Sequence, residues 1–145
     1  MKTELADVNV LLALVVETHA CHGDAVAWLR QTPRFATTPL TEVGLVRLLL
    51  NPKIATGITI GKAIEIVRRI KALPTAQFWP DATSLTDRRA VTAHVRGPAQ
   101  VPDTHLLNLA IANGGVLVTF DGKIEDSLRA KDRQYVRTLP SPGVV

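Results

Sequence analysis

Apolar and polar positions fall in blocks whose period alternates along the chain between that of a strand and that of a helix. The apolar pair Leu5-Ala6 runs into Asp7, and residues 8–16 are then apolar except for Asn9, which predicts a short strand followed by a buried helix. Residues 22–30 carry Ala25, Val26 and Leu29 at helical spacing, residues 34–37 form a strand pattern, and residues 39–50 form a helix stopped by Asn51-Pro52. Ile60, Ala63, Ile64, Val67 and Ile70 mark a helix over residues 60–73. Further on, the pattern predicts a strand at 77–79, helices at 84–95 and 103–113, a strand at 116–120, a helix at 122–130 and a last strand at 135–139. Strands separated by helices require a mainly parallel sheet covered on both faces, the α/β class. There is no linker, repeat or low-complexity stretch, so residues 1–145 are expected to form one domain.

Composition narrows the function classes. With 46% apolar residues, nine glycines and nine prolines in 145 residues, disorder and fibrous repeats are excluded. Cys21 is the sole cysteine, so no internal disulfide can form and a reducing cytoplasm is the expected setting. The apolar run at 8–16 is far short of the ~20 residues of a membrane span, and Glu4, Asp7 and Glu17 flank it where a secretory leader needs basic or neutral residues. No membrane partner is expected. Seventeen Lys and Arg against thirteen Asp and Glu give a net charge of +4, compatible with a polyanionic partner.

The informative feature is where isolated acids interrupt apolar surroundings. Asp7 stands between a strand and an apolar helix. Glu42 opens a helix whose next eight residues hold a single polar side chain, Arg47, and an all-round apolar helix is expected to be buried. Asp103 begins another apolar helix, and Asp121 follows the apolar strand pattern Val116-Leu117-Val118-Thr119-Phe120. Asp7, Glu42 and Asp121 therefore share an address at the carboxyl ends of strands, where open parallel sheets bind ligands. Asp103 can reach the same edge. Singly, each acid has a structural reading as a helix cap, a dipole partner or a turn residue. Together, carboxylates ~4 Å apart repel by roughly 4 kcal/mol per pair at an effective dielectric of 20, so such a cluster takes up protons or a cation. Oxygen-only ligands favour Mg²⁺ or Mn²⁺ over zinc.

These residues carry a family resemblance. Asp7-Val8-Asn9-Val10-Leu11-Leu12-Ala13-Leu14, Thr38-Pro39-Leu40-Thr41-Glu42-Val43-Gly44-Leu45-Val46-Arg47, Pro102-Asp103-Thr104-His105-Leu106-Leu107 and Val118-Thr119-Phe120-Asp121 resemble, in order, the four motifs of PIN-domain proteins. Across nearly its whole length, including Asn51-Pro52 and Phe78-Trp79-Pro80-Asp81, the chain is similar to the VapC toxins of bacterial toxin–antitoxin pairs. The resemblance implies a PIN-like three-layer α/β/α domain and a Mg²⁺- or Mn²⁺-dependent endoribonuclease. Its partners would be RNA, a cognate VapB-like antitoxin and a second copy of the chain in a homodimer. Asp7 and Asp103 would be the principal metal ligands, Glu42 and Asp121 would complete the catalytic acids, and Asn9, Thr41 and Thr119 would support them by hydrogen bonds.

Grip on RNA must come from outside the acids. Arg47, Arg68, Arg69, Lys71, Arg88, Arg89, Arg96 and Lys123 are candidates, with Arg47 favoured because it lies just over one turn beyond Glu42. The Arg68-Arg69 and Arg88-Arg89 pairs read more readily as solvated surface. Only six residues are aromatic, which points to recognition of RNA shape and backbone rather than base stacking. Two rivals remain. A haloacid-dehalogenase-like phosphohydrolase also opens on a strand ending in an acid, but its second Asp is Asn9 here; a non-catalytic binding module would use the acids structurally. The His19–Cys21–His22 group and the glycine-spaced Gly57–Ala63 stretch are decoys, lacking a partner motif and the P-loop spacing respectively. His105 is expected on the outer face of its helix.

Overall fold

Five three- or four-residue strands pair in parallel into one sheet: β1 (Glu4–Ala6), β2 (Phe35–Thr37), β3 (Ala76–Phe78), β4 (Val116–Thr119) and β5 (Val136–Thr138), in the order β3-β2-β1-β4-β5. The computed structural model describes residues 1–142. Six helices connect and cover the strands: α1 (Val8–Val15), α2 (His22–Gln31), α3 (Pro39–Leu49), α4 (Ile60–Lys71), α5 (Val101–Ala112) and α6 (Gly122–Ser127), with 3₁₀ turns at Pro98–Gln100 and Ala130–Tyr135.

The period-2 alternation of the strands divides the core into two layers. Ala6, Phe35 and Val118 point to one face, where they pack with Val10 and Leu11 of α1, Trp28 of α2, Leu45 and Leu49 of α3, and Val67 and Ile70 of α4. Leu5, Ala36 and Leu117 point to the other, against Leu106, Leu107 and Ala110 of α5 and Ile124 of α6. Three layers, helices over and under an all-parallel sheet, thus follow from which residue of each strand faces which way. The same alternation turns Glu4 towards the first layer. There it is buried, accepting from the Trp28 indole N–H at 2.7 Å and from Arg137 Nη1 at 2.9 Å.

Most elements lie within two residues of the sequence expectation, with three corrections. Residues 84–95 are not helical. Their Ser, Thr and Asp side chains bond the local backbone instead, Ser84 N–H to Asp87 Oδ2 at 3.0 Å and Thr86 N–H to Ser84 Oγ at 3.1 Å, and Asn108 of α5 takes both the N–H and the C=O of Val91. Helix α5 begins at Val101, with Pro in its first turn, so Asp103 lies inside that turn rather than capping it. Helix α3 is not buried all round: Leu45 and Leu49 face the core, but Val43 is 66% and Leu50 41% exposed. Gly44 admits this packing, since a Cβ there would stand 2.7 Å from Val8 Cγ2 of α1.

Candidate active site

A parallel strand is followed by a helix running back antiparallel to it, so helix N-termini gather at the carboxyl edge of the sheet. The strand order makes one place on that edge special. The chain leaves β1 towards β2 on one side, whereas β4 lies on its other side, so the connections diverge between β1 and β4 and open a crevice at their carboxyl ends. Asp7 follows β1, Asp121 follows β4, and Asp103 enters the same region from the first turn of α5.

Side chains at the crevice are fixed by a network joining segments more than 100 residues apart. Asp7 caps α1, its Oδ1 accepting from the Val8 N–H at 2.7 Å, while its Oδ2 accepts from Thr119 Oγ1 at 2.8 Å. The Thr119 hydroxyl in turn accepts from Asn9 Nδ2 at 3.1 Å and from the Asp121 N–H at 3.0 Å, and Asn9 Oδ1 accepts from the Phe120 N–H at 3.2 Å. One fully buried hydroxyl therefore ties β4 to both flanking acids. Asp121 caps α6 through a 3.0 Å bond from the Lys123 N–H to its Oδ1.

Three carboxylates feel one another here. Burial raises the pKa of Asp7 above the ordinary carboxylate value against the lowering effect of its Thr119 and Val8 donors, and the charge of Asp121 raises it further. Burial also raises Asp103, to about 6, with Asp7 and Asp121 adding to the shift. Asp103 and Asp121 line an open cleft of about 260 Å³ with His94, Gln100, Lys123 and Ser127. Among the described residues no three acids, histidines or cysteines converge into a preassembled cage. The donors are all carboxylate oxygens and threonine and asparagine groups, a set that suits a hard, hydrated divalent cation.

Glu42 stands at the same sheet edge, in the first turn of α3, with its carboxylate engaged elsewhere. It accepts from Thr37 Oγ1 at 2.9 Å and pairs with Lys71 of α4 at 3.3 Å. Thr37 was not singled out from the sequence; a polar residue ending a strand five positions before an acid was the available signal. The Thr41 hydroxyl is spent in the first turn of α3, accepting from the Thr38 N–H and donating to the Thr38 carbonyl, both at 3.0 Å. Arg47 is exposed and lines a groove between α3 and α4 with Glu42, Val43 and Lys71, not the cleft of Asp103 and Asp121. His105 is not on a free outer face: its Nε2 lies 2.8 Å from Asp81. His19 and His22 are spent on backbone partners, the N–H of Cys21 and the carbonyl of Ala13.

Comparison with known proteins follows the same lines. Residues 5–127 match the family model of the PIN domain. Ribonuclease VapC39 of Mycobacterium tuberculosis (strain ATCC 25618 / H37Rv) is 40% identical over 136 residues, covering 88% of this chain and 95% of that protein. Ribonuclease VapC44 of the same strain is 34% identical over 139 residues, covering 93% and 98%. Among solved structures, Mycobacterium tuberculosis VapC20, described as a Sarcin-Ricin loop cleaving toxin, superposes with a TM-score of 0.64 over 95% of this chain and all of that one. At 15% identity that likeness speaks for the fold alone.

Proposed function

The chain belongs to the PIN domain family, and from that premise we propose that it is a VapC-type toxin, an endoribonuclease that cuts cellular RNA using Mg²⁺ or Mn²⁺ and is neutralised by a cognate VapB-like antitoxin. The ribonuclease names of relatives at 34–40% identity over most of the chain support the activity. The observation that supports the metal requirement is the gathering of Asp7, Asp103 and Asp121 in one crevice, where burial first, and the charges of neighbouring acids after it, raise Asp7 and Asp103 above the ordinary carboxylate value.

Asp7, Asp103 and Asp121 would hold the cation, with Glu42 completing the acidic edge. A bound Mg²⁺ or Mn²⁺ supplies charge neutralisation at a phosphate oxygen and lowers the pKa of bound water. The chain's own residues do the rest. Thr119, itself held by Asn9, and the Val8 N–H keep Asp7 from rotating, so its carboxylate presents one orientation. Asp121 gives one oxygen to the Lys123 N–H and accepts no hydrogen bond at the other among the described residues, which suits it to orient or deprotonate an attacking water. Glu42, held by Thr37 and Lys71, adds negative charge at the rim.

A second copy and an antitoxin are the proposed protein partners, and the cytoplasm the proposed setting. An antitoxin tail bearing Arg or Lys would compete for the acidic crevice by charge. No helix among the described residues is long and apolar enough to cross a membrane. The test is to incubate purified protein with total RNA and Mg²⁺, Mn²⁺ or EDTA and to map fragment ends. Internal cuts that need the metal and leave a 5′-phosphate support the reading. Release of inorganic phosphate from small phosphoesters without RNA cuts would instead favour the phosphohydrolase, and a folded protein with neither activity the binding module.

A further inference from the structure

Segment 81–97 has no regular structure, yet three side chains on α5 hold it in place. Thr104 Oγ1 lies 2.9 Å from His94 Nε2, His105 Nε2 lies 2.8 Å from Asp81, and Asn108 holds both the N–H and the carbonyl of Val91 at 2.7 and 3.0 Å. Asp103 sits on the same helix, immediately before the first of these side chains. The acidic crevice and this segment are thus built on one rigid element.

The segment closes one side of a second cleft, of about 220 Å³, whose other side comes from the chain after α6. Arg88 and Arg89 face it from the segment, Arg129 and Lys131 from the far side. All four are exposed, and none makes an ion pair among the described residues, whereas Arg68, Arg69, Lys71 and Arg137 each have a carboxylate partner. Asp132 is the single acid in the lining, and it is buried. Four free cations around one small concavity repel each other and are stabilised by an anion with several oxygens. His94 lines both this cleft and the one holding Asp103 and Asp121, so the basic cleft abuts the acidic crevice. His94 is 93% buried, and its Nδ1 has no hydrogen-bond partner among the described residues.

We propose that the cleft of Arg88, Arg89, Arg129 and Lys131 is a phosphate subsite that grips the RNA backbone beside the scissile phosphodiester, resting on the ribonuclease reading above. A strand entering the crevice passes from a cation-rich to a carboxylate-rich surface. The basic end supplies the attraction that the acids cannot, and the shared helix α5 sets the distance between grip and cut. The cations meet phosphate oxygens, so the subsite binds the RNA backbone without regard to base.

Binding and cleavage are measured separately. Fluorescence anisotropy with a labelled single-stranded RNA, in EDTA, gives affinity and its salt dependence for the wild type, Arg88→Gln/Arg89→Gln, Arg129→Gln/Lys131→Gln, and the control Arg30→Gln/Lys53→Gln, which removes the same charge elsewhere. Each cleft pair is expected to weaken binding about tenfold, as for removal of a charged hydrogen bond. The slope of log K against log salt should become shallower by about 0.7 for each phosphate that is no longer neutralised. With Mn²⁺ present, KM should rise while kcat stays near the wild-type value. Cleft variants that match the control in affinity and slope overturn the subsite, even if wild-type protein cuts RNA. Failure of the wild type to cut any RNA overturns the ribonuclease reading, whatever the binding data say.

Discussion

Thr119 donates its hydroxyl hydrogen to Asp7 Oδ2 at 2.8 Å, a buried hydrogen bond that joins the end of the fourth strand to the end of the first across 112 positions of sequence. The same oxygen receives the Asn9 amide and the Asp121 N–H, so one hydroxyl sets the orientation of two acids. Thr119→Val keeps the shape and removes every one of these bonds. It should cost about 1–3 kcal/mol of folding stability, because buried partners lose their hydrogen bonds. It should also weaken Mn²⁺ binding, with Asp7 losing a donor that lowers its pKa. Thr119→Ser should restore both, as urea denaturation and calorimetric metal titration will register.

The raised acids predict how pH acts on the metal-free protein. Asp103 has a folded-state pKa of about 6 against an ordinary value of 3.8, so the folded state holds a proton there that the unfolded chain has released. Its contribution to stability is therefore greatest at low pH and is lost as pH rises through the interval from about 4 to about 6. A divalent cation must displace that proton at about pH 5 but not at about pH 7.5. The melting-temperature gain on adding Mn²⁺ should accordingly be larger at the higher pH, and the wild-type minus Asp103→Asn difference isolates this group from others titrating nearby. Equal gains at both pH values would show that Asp103 takes no part in binding.

Helix packing behind the site gives a contrast of sign. A Cβ at Gly44 of α3 would lie 2.7 Å from Cγ2 of Val8, a β-branched side chain with little rotamer freedom, directly after Asp7. Gly44→Ala should destabilise by about 1–3 kcal/mol and push apart α1, which Asp7 caps, and α3, whose first turn carries Glu42. At Gly61 of α4 the nearest atom is 4.0 Å away, so Gly61→Ala should be neutral or stabilise by up to about 1 kcal/mol. The denaturation midpoint of Gly44→Ala should fall, while that of Gly61→Ala should stay at or rise above the wild-type value.

What was legible in the sequence was what depends on local pattern. Short apolar runs placed the strands, apolar period placed most helices, and the rule that helices start at the carboxyl edge brought Asp7, Glu42 and Asp121 to one side of the sheet, within reach of Asp103. What was not legible depends on partners far apart in the chain. Residues 84–95 read as a helix because nothing in the local pattern shows that Asn108 and Thr104 hold them, as a run of turns, against α5. Glu42 read as a member of the acidic group, and only the fold brings Lys71 against it. Arg88 and Arg89 read as solvated surface because Arg129 and Lys131, about forty residues later, complete the cleft. Glu4 read only as an acid ahead of the apolar run, since Trp28 and Arg137 meet it only in the sheet.

The central claim is that the coupled acids at the β1–β4 crevice hold the metal that cuts RNA, and Asp103→Asn tests it most directly. The substitution removes one like charge from the cluster, so the metal-free variant should melt at or above the wild-type temperature. In the same preparation, the rate of RNA cleavage with saturating Mn²⁺ should fall by roughly 10²–10³-fold, the scale of losing one preorganised charge-stabilising group. A folded Asp103→Asn protein that cleaves RNA at the wild-type rate in Mn²⁺ would contradict the account.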